Sequence, residues 1–134
     1  MAEEKFSITN KTKSALPRVP FAKIKTATLG KDYSLSLVFI GKEKSSKLNF
    51  AYRGKNKPAN ILSFSLDKKT GEIFICPKTF AKAKVRAIAK RLSLAIAKKE
   101  MPSLFIHGLL HLKGMLHGST MEKAELKLRL KFGI

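Results

Sequence analysis

The sequence predicts an α+β domain: a small mixed sheet of about four strands with helices packed on it. Apolar residues alternate with a period of two only up to Pro77, and helical spacing takes over beyond it. The 134 residues suffice for one hydrophobic core, so residues 1–134 read as a single domain. KFSITN at 5–10 is a short first strand, and YSLSLVFIG at 33–41 is a half-buried strand that closes on Gly41. A helix is expected over 42–52, before the loop RGKNKP. NILSFSLD at 60–67, a turn in KKTGE containing Gly71, and EIFICP at 72–77 read as a β-hairpin that Pro77 ends.

After Pro77, Phe80, Val85, Ile88, Ala89, Leu92, Ala95 and Ile96 recur at spacings near three and four among lysines and arginines, which predicts a long amphipathic helix. Pro102 is expected to break it, because a proline pushes the preceding residue out of the helical region. SLFIHGLLHLKG then resumes as a new helix, capped by Ser103 and stopped by Gly114. A last helix runs from Thr120 to about Lys131. The stretches 10–20 and 53–59 read as flexible connections, and no repeat or low-complexity tract interrupts the chain.

Lys and Arg number 28 against 9 Asp and Glu, a formal charge of +19, so polyanions are the natural partners. No segment reaches the roughly 18 apolar residues needed to cross a bilayer, and a soluble protein without membrane partners is expected. The start, MAEEKFSITNKTK, lacks the basic and apolar blocks of a signal peptide. Cys76 is the only cysteine, which excludes an intramolecular disulfide and a cysteine-rich zinc knuckle. The expected location is the reducing cytoplasm.

All three histidines lie in HGLLHLKGMLH at 107–117. On a helix, His107 and His111 leave the same face one turn apart. Gly114 can adopt the left-handed conformation that turns the chain back and brings His117 toward the same point. The pattern H-x-x-x-H-x-x-G-x-x-H thus sets three imidazoles around one divalent cation and leaves a position open, as in catalytic zinc sites. From the residues alone the ion could be zinc, nickel, copper or iron. Leu109, Leu110 and Leu112 read as core anchors that keep the ligand helix rigid. Metzincin proteases share the spacing, but their second position is glutamate, the general base; here it is Gly108, which disfavours peptide hydrolysis.

These residues resemble the YbeY-type metal-dependent endoribonucleases, whose motif is approximately H-G-x-L-H-L-x-G-x-D-H. LNFAYRGKNKPANILSFSL at 48–66 and GEIFICP at 71–77 are similar to two further blocks of that family in order and spacing. Met121 to Glu125 resembles its closing helix, and the likeness covers about residues 33 to 130. Leu116 stands where the family has Asp, and Asn60 and Ser65 replace its Asp and Pro around ILSF.

The resemblance implies a single-strand-specific endoribonuclease of 16S ribosomal RNA maturation and ribosome quality control. Its partners would be ribosomal RNA, the ribosome and a small-subunit ribosomal protein. One zinc-like ion would sit on His107, His111 and His117, with His107 and Arg53 as the catalytic residues. An ion there would activate water or assist attack by the RNA 2′-hydroxyl, and the sequence leaves both routes open. Arg53 offers a planar, permanently charged fork for phosphate, while Lys55 and Lys57 would steer RNA. Arg86 and Lys90, within a helix carrying no acid between Glu72 and Glu100, extend the expected RNA contact. Ser63 reads as structural, since nothing pairs it with a base. The competing reading, drawn from Leu116, is a basic ribosome-associated protein that binds RNA with little or no cleavage.

Overall fold

The computed structural model describes residues 5–13, 16–79, 89–115 and 118–134, with residues 89–99 as backbone path. Strands β1 (Phe6–Asn10), β2 (Ser34–Phe39), β3 (Ile61–Asp67) and β4 (Thr70–Ile75) form one mixed sheet in the order β1-β2-β4-β3. β1 and β2 pair in parallel, as do β2 and β4, while β3 is antiparallel to β4 and lies at an edge. The expected α+β class and four strands are therefore present.

The hairpin is tighter than expected. β4 begins at Thr70, so the turn is Lys68-Lys69, held by the Lys69 N–H donating to the Asp67 carboxylate at 2.8 Å. Gly71 is inside the strand, not the turn. There a Cβ would meet the Tyr33 hydroxyl and the Leu112 side chain, so the position needs glycine for close approach.

Helices α2 (Lys42–Arg53) and α4 (Ser119–Phe132) match the expected segments within two residues. Helix α1 (Phe21–Leu29) was not expected. It starts directly after Pro20 and buries Phe21, Ile24, Lys25 and Thr28, one stripe at helical spacing. Burial of Lys25 beside Lys5 pushes its pKa down, and the Asp32 carboxylate opposes that shift.

Helix α3 (Ala89–Leu112) corrects the expected break, because it runs straight through Pro102. A proline inside a helix costs roughly 3 kcal/mol. Met101, Phe105, Ile106 and Leu109 are fully buried on either side of it, and each such side chain contributes about 1.5–3 kcal/mol by leaving water. The apolar stripe outweighs the proline. The start of the long helix expected after Pro77 falls on residues 80–88, outside the described residues; a short 3₁₀ turn at Pro77–Thr79 precedes them.

The main core lies between one sheet face and α1, α3 and α4. Phe21 packs edge-on against Phe105 at 5.0 Å between ring centres and lies tilted against Phe39 at 5.8 Å. Val38, Ile40 and Cys76 form a smaller cluster with Leu48 of α2 and Phe74. Burial pushes the Cys76 thiol up, so it is an inert core residue.

Candidate functional site

The histidine helix is seated by its glycine. A Cβ on Gly108 would lie 2.6 Å from Ile61 Cδ1 and 2.9 Å from Ser63 Oγ, so α3 approaches β3 too closely for a large side chain there, and even a methyl group obliges these side chains to shift. The Ser63 hydroxyl donates to the Gly108 carbonyl at 3.4 Å, which fits the structural role expected of Ser63. Leu109 and Leu110 are buried and Leu112 packs against the core, anchoring the helix as expected. With that face turned inward, His107 and His111 stay half-buried at the surface.

The helix ends where expected, at Gly114, whose φ is 95°. The Met115 N–H donates to the Leu110 carbonyl and the Gly114 N–H to the His111 carbonyl, both at 3.0 Å, the two bonds of a Schellman stop. The same turn puts the Met115 carbonyl 3.1 Å from His111 Nδ1. On the other ring, His107 Nδ1 lies 2.5 Å from the Glu125 carboxylate of α4. Glu125 reaches the site only through the packing of α4 on α3; its one signal in the sequence is the Met121-to-Glu125 pattern.

These contacts favour one tautomer of each ring. Carbonyl and carboxylate oxygens accept, so both Nδ1 atoms carry the hydrogen. The two Nε2 atoms then face each other at 3.0 Å with their lone pairs converging, an arrangement suited to a shared cation. Nitrogens held at 2.0–2.1 Å in tetrahedral array stand roughly 3.3 Å apart, so the pair fits a transition-metal ion with a shift of a few tenths of an ångström. Oxygen partners on both Nδ1 atoms are the usual outer contacts of metal-bound imidazoles.

The histidines floor an open cavity of about 740 Å³. Arg53 and Lys55 line it from the α2 side, and Glu100, Ser103 and Glu125 from α3 and α4. Arg53 is the last residue of α2; Gly54 caps the helix at a φ of 68° and directs the chain into the loop. Two α2 side chains fasten that loop. The Ser45 hydroxyl donates to the Ala59 carbonyl at 2.7 Å and accepts the Ala59 N–H at 2.9 Å, and the Asn49 amide donates to the Lys57 carbonyl at 2.8 Å. The stretch 53–59, expected to be flexible, is thus tied to α2.

Of the residues singled out in the sequence, Arg53, Lys55, His107 and His111 come together around one cavity. Lys57 is exposed on the same loop and is not among the residues lining it. His117, Leu116 and Arg86 lie outside the described residues, as does the Lys90 side chain. Among the described residues no group of three potential metal ligands occurs. Glu100 lines the cavity without any signal in the sequence, and Glu125 with only the Met121-to-Glu125 pattern.

An α+β domain with a paired-imidazole centre under a mouth carrying arginine and lysine defines a class of protein suited to anionic, phosphate-bearing substrates. Comparison with known proteins makes this specific: the model of the family Endoribonuclease YbeY matches residues 2–131, and the chain belongs to that family. Proteins named Endoribonuclease YbeY from the Onion yellows phytoplasma (strain OY-M) and from Mycoplasmopsis synoviae (strain 53) are each 37% identical, over 106 and 108 residues. These alignments cover 72% and 73% of this chain and 68% and 66% of the relatives. The relative of the same name from Rubrobacter xylanophilus is 32% identical over 96 residues, 69% of this chain and 58% of its own length. The chain therefore spans about three-fifths to two-thirds of the length of these relatives. The solution structure of TM1509 from Thermotoga maritima shares the fold, with a TM-score of 0.57 and 23% identity over 92% of this chain and 85% of that one.

Proposed function

We propose that this chain is a metal-dependent endoribonuclease that cuts single-stranded ribosomal RNA in 16S maturation and ribosome quality control. Its ion, zinc, would be held by His107, His111 and His117. The observation that carries the reading is the facing Nε2 pair, each ring oriented from behind, in a cavity that also holds Arg53. The name borne by the relatives supports the nuclease part. A divalent ion supplies Lewis acidity toward a phosphodiester oxygen and acidifies water. The residues do the rest. Arg53 binds the scissile phosphate with its fork of donors, Lys55 draws the strand in, and Glu125 holds His107 in the tautomer that points Nε2 into the cavity. Cytoplasmic location and a small-subunit ribosomal protein as partner belong to the same proposal. Among the described residues, no helix is long and apolar enough to cross a membrane.

Incubating the purified chain with single-stranded ribosomal RNA tests the reading. Cleavage is expected to disappear with a chelator and to fall about 100-fold or more in Arg53→Ala, the usual effect of removing one preorganised donor to developing charge. Intact RNA in the presence of metal, alongside tight and salt-sensitive binding, would instead favour an RNA-binding protein without nuclease activity, the reading that Leu116 supports. Glu125→Ala is expected to weaken divalent-ion binding about 10- to 100-fold, measured by competition with a chromogenic chelator, with far-UV dichroism unchanged. Wild-type affinity in that variant would remove Glu125 from the site.

A further inference from the structure

β3 is an edge strand, and its two faces do different things. Ile61 and Ser63 face α3 and line the histidine cavity. Phe64, between them and the turn, points to the opposite face, where its ring lies 4.7 Å from that of Tyr52 and 5.9 Å from that of Phe74. Tyr52, at the outer end of this row, is 67% exposed. The result is a ladder of three rings that opens to solvent at Tyr52. Burial alone does not account for it, because its outermost ring hides so little surface.

The ladder begins where the cavity ends. Tyr52 and Arg53 are consecutive, so their Cα atoms stand about 3.8 Å apart, and the arginine enters the cavity while the tyrosine joins the ladder. The surrounding charge is one-sided. Residues 42–57 carry six cations, Lys42, Lys44, Lys47, Arg53, Lys55 and Lys57, against Glu43 alone, which already lies 3.6 Å from Lys47. An exposed aromatic ring beside a cationic loop is the pairing that holds single-stranded nucleic acid: backbone phosphates meet the cations and unstacked bases lie on the ring. A second copy of this chain, itself at +19, would offer little counterpart for those cations.

We propose that Tyr52, backed by Phe64 and Phe74, is a stacking platform for a base of the single-stranded RNA whose phosphate Arg53 holds at the cavity. This rests on the nuclease reading for its ligand class and adds a base-binding site to it. The platform selects unpaired RNA, because a base within a duplex cannot present its face to the ring. Phe64 and Phe74 fix the orientation of Tyr52, so the ring is placed before RNA arrives.

The test is affinity for a fluorescently labelled single-stranded oligoribonucleotide, measured with the full chain in excess chelator so that nothing is cut. Tyr52→Ala is expected to weaken binding about 10-fold, within the range of roughly 5- to 150-fold found for one stacked base, and Tyr52→Phe to leave it within about twofold. Neither variant should change binding to inorganic polyphosphate, which has charge and no bases. The chain has two tyrosines and no tryptophan, and Tyr33 is buried, so quenching of tyrosine emission by RNA should be seen in the wild type and lost in Tyr52→Phe. Unchanged RNA affinity in Tyr52→Ala overturns the platform, as does equal weakening toward RNA and polyphosphate. Unchanged RNA affinity with loss of a concentration-dependent self-association would assign the ladder to a protein contact. If the wild type binds RNA but cuts none when metal is restored, the nuclease reading falls while selective loss in Tyr52→Ala still upholds the platform.

Discussion

Phe105→Ala is expected to lower stability by about 3–5 kcal/mol, a large share of the roughly 5–15 kcal/mol that holds a domain of this size together. The ring is fully buried and sits edge-on to Phe21 and 6.3 Å from Phe6, so truncation loses its transfer from water and leaves a void between sheet and helices. Urea denaturation followed by far-UV dichroism measures the effect. A loss under about 1 kcal/mol would show that the ring is not packed as described. The consequence reaches the site, because Phe105 helps set the seating of α3 and His107 follows two residues later.

Gly108→Glu is expected to be worse still, although it restores the second position of the metalloprotease pattern. A glutamate there would not face the paired imidazoles. Its Cβ would already collide with Ile61 and Ser63 of β3, and the carboxylate would be driven against the sheet. Overpacking costs about 1–3 kcal/mol, and an unpaired buried charge adds several more. The variant should be largely insoluble or melt well below the wild type, and it should show no peptidase activity. Gly108→Ala separates the two effects: the Ile61 terminus can rotate away, and alanine gains about 1 kcal/mol over glycine in helix propensity, so the net change should be small. A wild-type urea midpoint for Gly108→Glu would refute this account. Packing thus excludes the protease base as well, a constraint that spacing alone did not reveal.

What could be read from the residues, and what could not, divides along physical lines. The four strands were visible because each carries local alternation or sits between turn residues, and α2 and α4 because they are bounded by glycine and hydroxyl signals. Helix α1 was not, because nine residues with two threonines and a buried lysine, following Pro17 and Pro20, have little propensity of their own; contact with α3 makes the helix. The break at Pro102 was a sound local inference that the buried stripe of α3 overrides. Gly114 ended its helix as its position suggested, since a left-handed stop is a local event. Glu125, 18 residues from His107, became a site residue only through the crossing of two helices. The pairing of Arg53 with the histidines came from family resemblance, since no periodicity links residues so far apart. Likewise, no pattern in the helix lysines suggested aromatic contacts to bases; the ladder is assembled across α2, β3 and β4.

The clamp of Ser45 and Asn49 on the loop after Arg53 has a consequence for the tempo of binding. Three hydrogen bonds from two buried side chains hold the loop backbone against α2, so its conformational entropy is lost when the chain folds and not when a ligand arrives. In the proposed function Arg53 and Lys55 would therefore act as a fixed electrode and not as a closing lid: association with RNA is expected to be rapid, to slow steeply as salt is added, and to show no lag for rearrangement.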